Sequence, residues 1–209
     1  MATKSATSYV GRRAAENGFH GIRYARDIGR EPNVHLSINF ETVGIGDDLA
    51  GEVFRDLRSR IARRWRYLRK TNRVAGPFVD LHAHANPAGS RHVHWLMHLP
   101  AGLIEDFERV VRLRLATLAG ISVGELRDAV LVVRVTTPGS LAKYIYRGVE
   151  PAYAGYLHIR PANEGLVSGR RTGVSRAISK AARKQAGWSR RASKASRGSP
   201  ASGASVGLL

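Results

Sequence analysis

Residues 77–99 read PFVDLHAHANPAGSRHVHWLMHL, and the way this stretch alternates decides the fold. Two extended runs flank Asn86-Pro87-Ala88-Gly89-Ser90, a succession of turn formers, so the stretch predicts a β-hairpin with strands over 77–84 and 91–99. Side chains two apart on a strand point the same way. His92, His94 and His98 therefore share one face of the second strand, and Val93, Trp95, Met97 and Leu99 the other. In the first strand Asp80, His82 and His84 are in phase, opposite Val79, Leu81 and Ala83. A hairpin that buries both apolar sets together gathers the histidines on one exposed face and brings His84 beside His92. Five of the eight histidines fall within this stretch, a concentration that ordinary globular usage does not explain.

Outward from the hairpin, residues 33–40 alternate strictly. Val34, Leu36, Ile38 and Phe40 form an apolar face, and Asn33, His35, Ser37 and Asn39 a wet one, which predicts a strand. Leu49, Val53, Phe54, Leu57, Ile61, Trp65 and Leu68 then recur at helical spacing, with Asp47 and Asp48 suited to the N-cap. The opposite face of this helix carries Arg55, Arg58, Arg60, Arg63, Arg64 and Arg66, expected as a solvated face in preference to a DNA-binding ridge. A second amphipathic helix follows the hairpin through Leu103, Ile104, Phe107, Val110, Val111 and Leu118. Residues 129–136 are apolar and β-branched enough for an internal strand, and Pro138-Gly139 turns the chain into a short helix through Tyr144. The order β-α-β-β-α-β-α predicts an α+β fold, a central antiparallel sheet with helices packed on one face. Residues 1–30 lack apolar periodicity and read as a basic flexible arm, 31–165 as the folded domain, and 166–209 as a basic helix over 175–186 followed by a disordered Ser/Gly/Ala tail. Beyond Glu164 there is no further acid and there are ten Lys or Arg.

Composition narrows the partner. The chain has 209 residues, 43% hydrophobic, with a formal charge of +18, an excess that a polyanion such as nucleic acid would neutralise. The absence of cysteine removes disulfides, thiolate zinc sites and thiol nucleophiles, so any metal must be held by His and carboxylates. The N-terminal stretch has no apolar signal core, and the longest apolar run, residues 129–133, is far too short for a bilayer, so a soluble, intracellular protein without membrane association is expected. Two imidazoles in phase on one strand, with an N or O ligand from the neighbouring strand, make a three-ligand metal platform with open coordination positions, the arrangement metal catalysis uses. Leu96 occupies the next same-face position and leaves His98 too far along to join. There is no HExxH and no Glu between the histidines, which disfavours a zinc peptidase.

RHVHWLMHLP, with its His-hydrophobic-His core, resembles the second motif of HUH replication initiators, the endonucleases of rolling-circle replication. NVHLSINF resembles their first motif strand. LAKYIYRG, after a β-rich segment and a Pro-Gly turn, resembles their third, where a helix presents a tyrosine followed three residues later by a base. The three occur in family order over residues 33–176, and the chain is most similar to replication-associated proteins of filamentous phages and small plasmids, whose bacterial members the stretch GLVSGRRTGVSR also resembles. The resemblance implies an HUH/RRM-like sheet and a divalent metal, Mg2+ or Mn2+, held by His92, His94 and a third ligand at His84, or else at His82 or Asp80. It implies Tyr144 as nucleophile with Arg147 beside it, since these two share a helix face and Tyr146 points away. Arg147 stands where many relatives have lysine and cannot deliver a proton as lysine does. Lys143, Arg170, Arg171 and Arg176 are the expected DNA contacts.

The activity so implied is nicking and joining of single-stranded DNA at a replication origin through a 5′-phosphotyrosyl link, in the cytoplasm of a bacterial host. Host polymerase and helicase would be partners, because the chain carries no GxxxxGK[ST] motif of its own. A relaxase or a single-strand transposase would use the same chemistry, and Tyr146 is a conceivable second nucleophile. From a different class, the alternative is a basic nucleic-acid-binding protein without catalysis, held to DNA by phosphate contacts alone.

Overall fold

The computed structural model describes residues 5–189 apart from position 127. In chain order its elements are β1 (Ala6–Thr7), α1 (Arg12–Asp27), β2 (Val34–Asn39), α2 (Asp47–Lys70), β3 (Asp80–Ala85), β4 (His92–Met97), α3 (Ile104–Ala119), β5 (Val130–Arg134), α4 (Pro138–Ile145), α5 (Pro151–Leu157), β6 (Val167–Ser168), β7 (Thr172–Val174) and α6 (Lys180–Gln185). The fold is α+β around a five-stranded sheet in the order β5-β2-β4-β3-β7, every neighbouring pair antiparallel. β1 and β6 form a separate two-stranded ribbon. Among the described residues no helix is long and apolar enough to cross a membrane.

One sheet face follows directly from the alternation. Leu36 pairs with Trp95 and Val34 with Met97, so the apolar sides of β2 and β4 make a continuous floor. On it lie Phe54, Leu57, Ile61 and Trp65 of α2 and Phe107, Val111 and Leu115 of α3, all buried. Asp47 and Asp48 sit in the first turn of α2, where negative charge suits the helix dipole, and Gly46, not an aspartate, is its N-cap. The arginine side of α2 is a partly paired, solvated face: Arg60 bonds Asp56, Arg58 bonds Asp80 and Arg64 bonds Asp106.

The second face corrects the expectation of helices on one side only. α1 and α4 cover its β3 half, where Leu81, Ala83 and Leu96 pack against Ala15, Ile22 and Ala25 of α1, Ala142 and Ile145 of α4, and Tyr146 just beyond it. Residues 12–27, expected as part of a flexible arm, are thus a packed helix. Its buried stripe is built from small side chains, including Gly18 and Gly21. A Cβ at Gly18 would stand 2.2 Å from the Tyr146 hydroxyl, so the close approach of α1 to α4 requires glycine there.

Two further expectations change. Residues 129–136 were expected to form an internal strand, but β5 is a sheet edge, with Leu131 and Val133 exposed. Residues 166–176, expected outside the folded domain, supply β6 and β7, and β7 closes the other sheet edge against β3. The basic helix expected over 175–186 is a 3-10 turn at Arg176–Ile178 followed by α6. The expected tail beyond 189 lies outside the described residues.

Candidate active site

Register settles which histidines meet. In the β3–β4 pair His84 stands opposite Val93 and His82 opposite Trp95, while Ala83 and Ala85 stand opposite His94 and His92. Paired residues point to the same side of a sheet, so His82 and His84 lie on the α2 face, away from His92 and His94. There the Phe54 ring meets both edge-to-face, at centroid distances of 4.8 and 5.1 Å. Asp80 is on that face too, taking hydrogen bonds from Arg58 Nη2 at 3.0 Å and Trp95 Nε1 at 2.8 Å. The expected gathering of His84, or of His82 or Asp80, with His92 and His94 is therefore corrected. The cause is that β3 is buried on both sides, its Leu81 and Ala83 facing α1 and not α2.

The histidine that joins the pair is His35, on β2. Its strand is the other neighbour of β4, pairing Ser37 with His94 and Asn39 with His92. His35 Nε2 lies 3.1 Å from His94 Nδ1, and the His92 and His94 ring centroids are 4.9 Å apart. His92 Nδ1 donates to the Ser90 carbonyl at 3.0 Å. One hydrogen is shared between His35 Nε2 and His94 Nδ1, and in the tautomer where His94 Nδ1 donates, both His92 and His94 keep Nε2 as the lone-pair nitrogen. His94 Nε2 is buried without a hydrogen-bond partner. Burial first, then the charges of His92, His35 and Arg147, holds the His94 pKa down at about 3, so this imidazole is neutral at physiological pH, the state a metal ligand needs. Two Nε2 donors with their Nδ1 atoms fixed by other groups is the donor set of a histidine metal platform, with His35 in the orienting position. Among the described residues no group of three or more His, Asp or Glu side chains is arranged to hold a metal ion.

α4 brings the tyrosine to this pair. The Tyr144 ring meets the His94 ring edge-on at 5.4 Å and is 45% exposed. The Arg147 guanidinium lies 4.5 Å over the Tyr144 ring, and its Nε donates to the buried Glu164. Glu164 is carried by a loop that presses on the hairpin turn: its carbonyl accepts from Asn86 N at 2.8 Å, and a Cβ at Gly165, where φ is +66°, would collide with Asn86 O. Exposed Lys143, with Arg147, His158 and Arg160, lines a cleft of about 480 Å3 at Tyr144, a cationic bay in which an anion would be stabilised. Tyr146 is wholly buried against Phe19, and burial pushes its phenol pKa up, so it is excluded from the bay.

The other expected DNA contacts lie elsewhere. Arg171 is buried, donating through Nη2 to the Thr7 carbonyl at 2.8 Å, and serves the fold in place of a phosphate on the surface. Exposed Arg176 lines a cleft on the α2 side with Arg58 and His82. Exposed Arg170 stands between that cleft and one along α1. Reasoning from sequence missed His35, Arg160 and Glu164. For His35 the signal was present, since it is the one imidazole on the wet face of the strand 33–40.

Comparisons with protein-family models, with curated proteins and with solved structures find no match for this chain.

Proposed function

We propose that the protein nicks and rejoins single-stranded DNA through Tyr144, with Mg2+ or Mn2+ held by His92 and His94, and so initiates rolling-circle replication of a phage or plasmid. The observation that carries this reading is the contact between Tyr144 and His94, two residues fifty positions apart that meet at a cationic bay. The Tyr144 oxygen, having lost its proton to solvent, attacks the scissile phosphorus. One P–O bond forms to the tyrosine as the bond to the 3′-oxygen breaks, and that oxygen leaves as a hydroxyl after taking a proton from water. The phosphodiester is exchanged and not hydrolysed, so a returning 3′-hydroxyl can displace Tyr144 and rejoin the strand. The bound metal would polarise the phosphate and lower the charge on its oxygens. Arg147, itself held by Glu164, lies over the Tyr144 ring, and Lys143 and Arg160 hold the phosphate.

A second reading has its own support. The formal charge of +18 and the cation-lined clefts equally suit a basic nucleic-acid-binding protein without catalysis. Incubation with Mn2+ and a pool of random single-stranded 40-mers labelled at the 3′ end separates the two. Nicking leaves label on the protein through denaturing electrophoresis, and Tyr144→Phe abolishes it. A wild-type protein that binds the pool and never acquires label sinks the nickase. Sequencing the attached DNA would also report the nick site.

A further inference from the structure

Apart from the Tyr144 cleft, a groove of about 1090 Å3 runs between α1 and the β7–α6 segment. Arg13, Arg170, Lys180 and Lys184 line it, all exposed. Among the described residues its one acidic lining side chain is Glu16, which already accepts from Arg12 Nε at 2.9 Å. Its interior holds a second cationic layer. Arg183 is buried, with Nη2 on Asn17 Oδ1 at 2.8 Å, and Arg171 is buried with Nε and Nη1 lacking any hydrogen-bond partner.

Aromatic rings line it as well, Tyr9 and Trp188 among them. Tyr9 is 50% exposed. Trp188 is held in one orientation: its Nε1 donates to Asp27 at 2.8 Å, its ring meets Tyr24 edge-on at 5.8 Å, and the Arg183 guanidinium lies 5.9 Å over it. A rigid, half-exposed indole beside a row of cations has the chemistry of a strand-binding track, in which phosphates meet Lys and Arg and unstacked bases lie on aromatic faces.

We propose that this groove is a second binding site for single-stranded DNA, distinct from the Tyr144 bay, with bases stacked on Tyr9 and Trp188 and phosphates on Arg13, Lys180 and Lys184. A duplex is disfavoured because its bases are already stacked on one another and offer no free faces to the rings. The site goes beyond the nicking reading and stands whether or not Tyr144 reacts. If Tyr144 does cleave, the groove keeps the strand tethered while one end is covalently held.

The three tryptophans make the test readable: Trp65 and Trp95 are buried, Trp188 is the half-exposed one lining this groove, and Trp188→Phe, which removes its emission, separates its quenching from any at Trp65 beside the α2-side cleft. The full chain is titrated with (dT)12 in the absence of divalent metal while tryptophan emission is followed. Emission should be quenched, and equally so in Tyr144→Phe. Anisotropy of labelled (dT)12 should then show binding about tenfold weaker for Trp188→Ala, with Trp188→Phe close to wild type. Arg13→Glu with Lys184→Glu should flatten the log Kd against log salt plot by roughly 1.4, the loss of two phosphate contacts on a single strand. All four positions are at the surface, and melting curves confirm that the variants fold. Binding of (dT)12 without quenching, or with affinity unmoved by Trp188→Ala, overturns the site, as does tighter binding of a 12-base-pair duplex. Quenching without adduct formation removes the nickase and leaves the groove, and adduct formation without quenching does the reverse.

Discussion

The hairpin carries two histidine pairs that look alike in sequence and differ in everything else. His82 and His84 face α2, wrapped by Phe54 and Phe40, each with a buried Nδ1 that has no partner. His92 and His94 face the open half of the other side, with both Nδ1 atoms engaged and Tyr144 in ring contact. The same H-x-H spacing therefore gives two different environments, and of the two pairs it is the second whose Nδ1 atoms are both held, which is what fixes the orientation of an imidazole.

The largest effect expected from this contrast is on activity. His94→Ala should lower the rate of covalent adduct formation with Mn2+ by at least about a hundredfold, the scale of losing a metal ligand or its outer partner. His84→Leu should leave that rate within about twofold. Single-turnover adduct assays on both variants decide the matter, and equal losses would mean that the two faces act together and the contrast is false.

Next in size is His35. As an orienting group it should cost about 10- to 100-fold in apparent Mn2+ affinity when changed to Ala, with His35→Gln recovering part of the loss because an amide oxygen can accept from His94 Nδ1. Calorimetric Mn2+ titration gives the affinities directly. If His35→Gln is as impaired as His35→Ala, then His35 is a ligand and not a support.

The two faces are distinct only because α1 covers part of one of them, and α1 is where the sequence was hardest to read. β2, α2, α3 and the hairpin were legible because large apolar residues recur at periods of 2 or 3.6. α1 buries Ala15, Gly18, Gly21 and Ala25, with Ile22 the one large side chain, and gains its packing from close approach instead of bulk. With no helix foreseen on the second face, Leu81 and Ala83 had to share the first with Trp95, and that assumption carried His84 to the wrong side. A shift of one position in register reverses every side chain of a strand. The site was half legible: His92, His94, Tyr144 and Arg147 do come together, while His35 and Glu164 depend on strand neighbours and a loop that periodicity does not reveal. Gly18→Ala tests the cause. Its Cβ would press on the buried Tyr146 ring, and overpacking of this kind costs about 1–3 kcal/mol, measurable by urea unfolding.

The smallest expected effect is a pH dependence that belongs to the enclosed pair. Burial holds the pKa of His82 and of His84 well below the ordinary imidazole value in the folded chain. The unfolded chain binds protons at about pH 6.5 while the folded chain does not, so stability is fully present above that pH and is lost progressively as pH falls below it. Each such histidine steepens the loss by up to about 1.4 kcal/mol per pH unit. His84→Leu removes one titrating group together with an unpartnered buried nitrogen. Its stability at pH 7.5 should match or slightly exceed that of wild type, and its unfolding free energy should fall less steeply between pH 6 and pH 5. An unfolding free energy that fell as steeply in His84→Leu as in wild type over this range would mean that His84 is not the enclosed imidazole that the α2 face makes it.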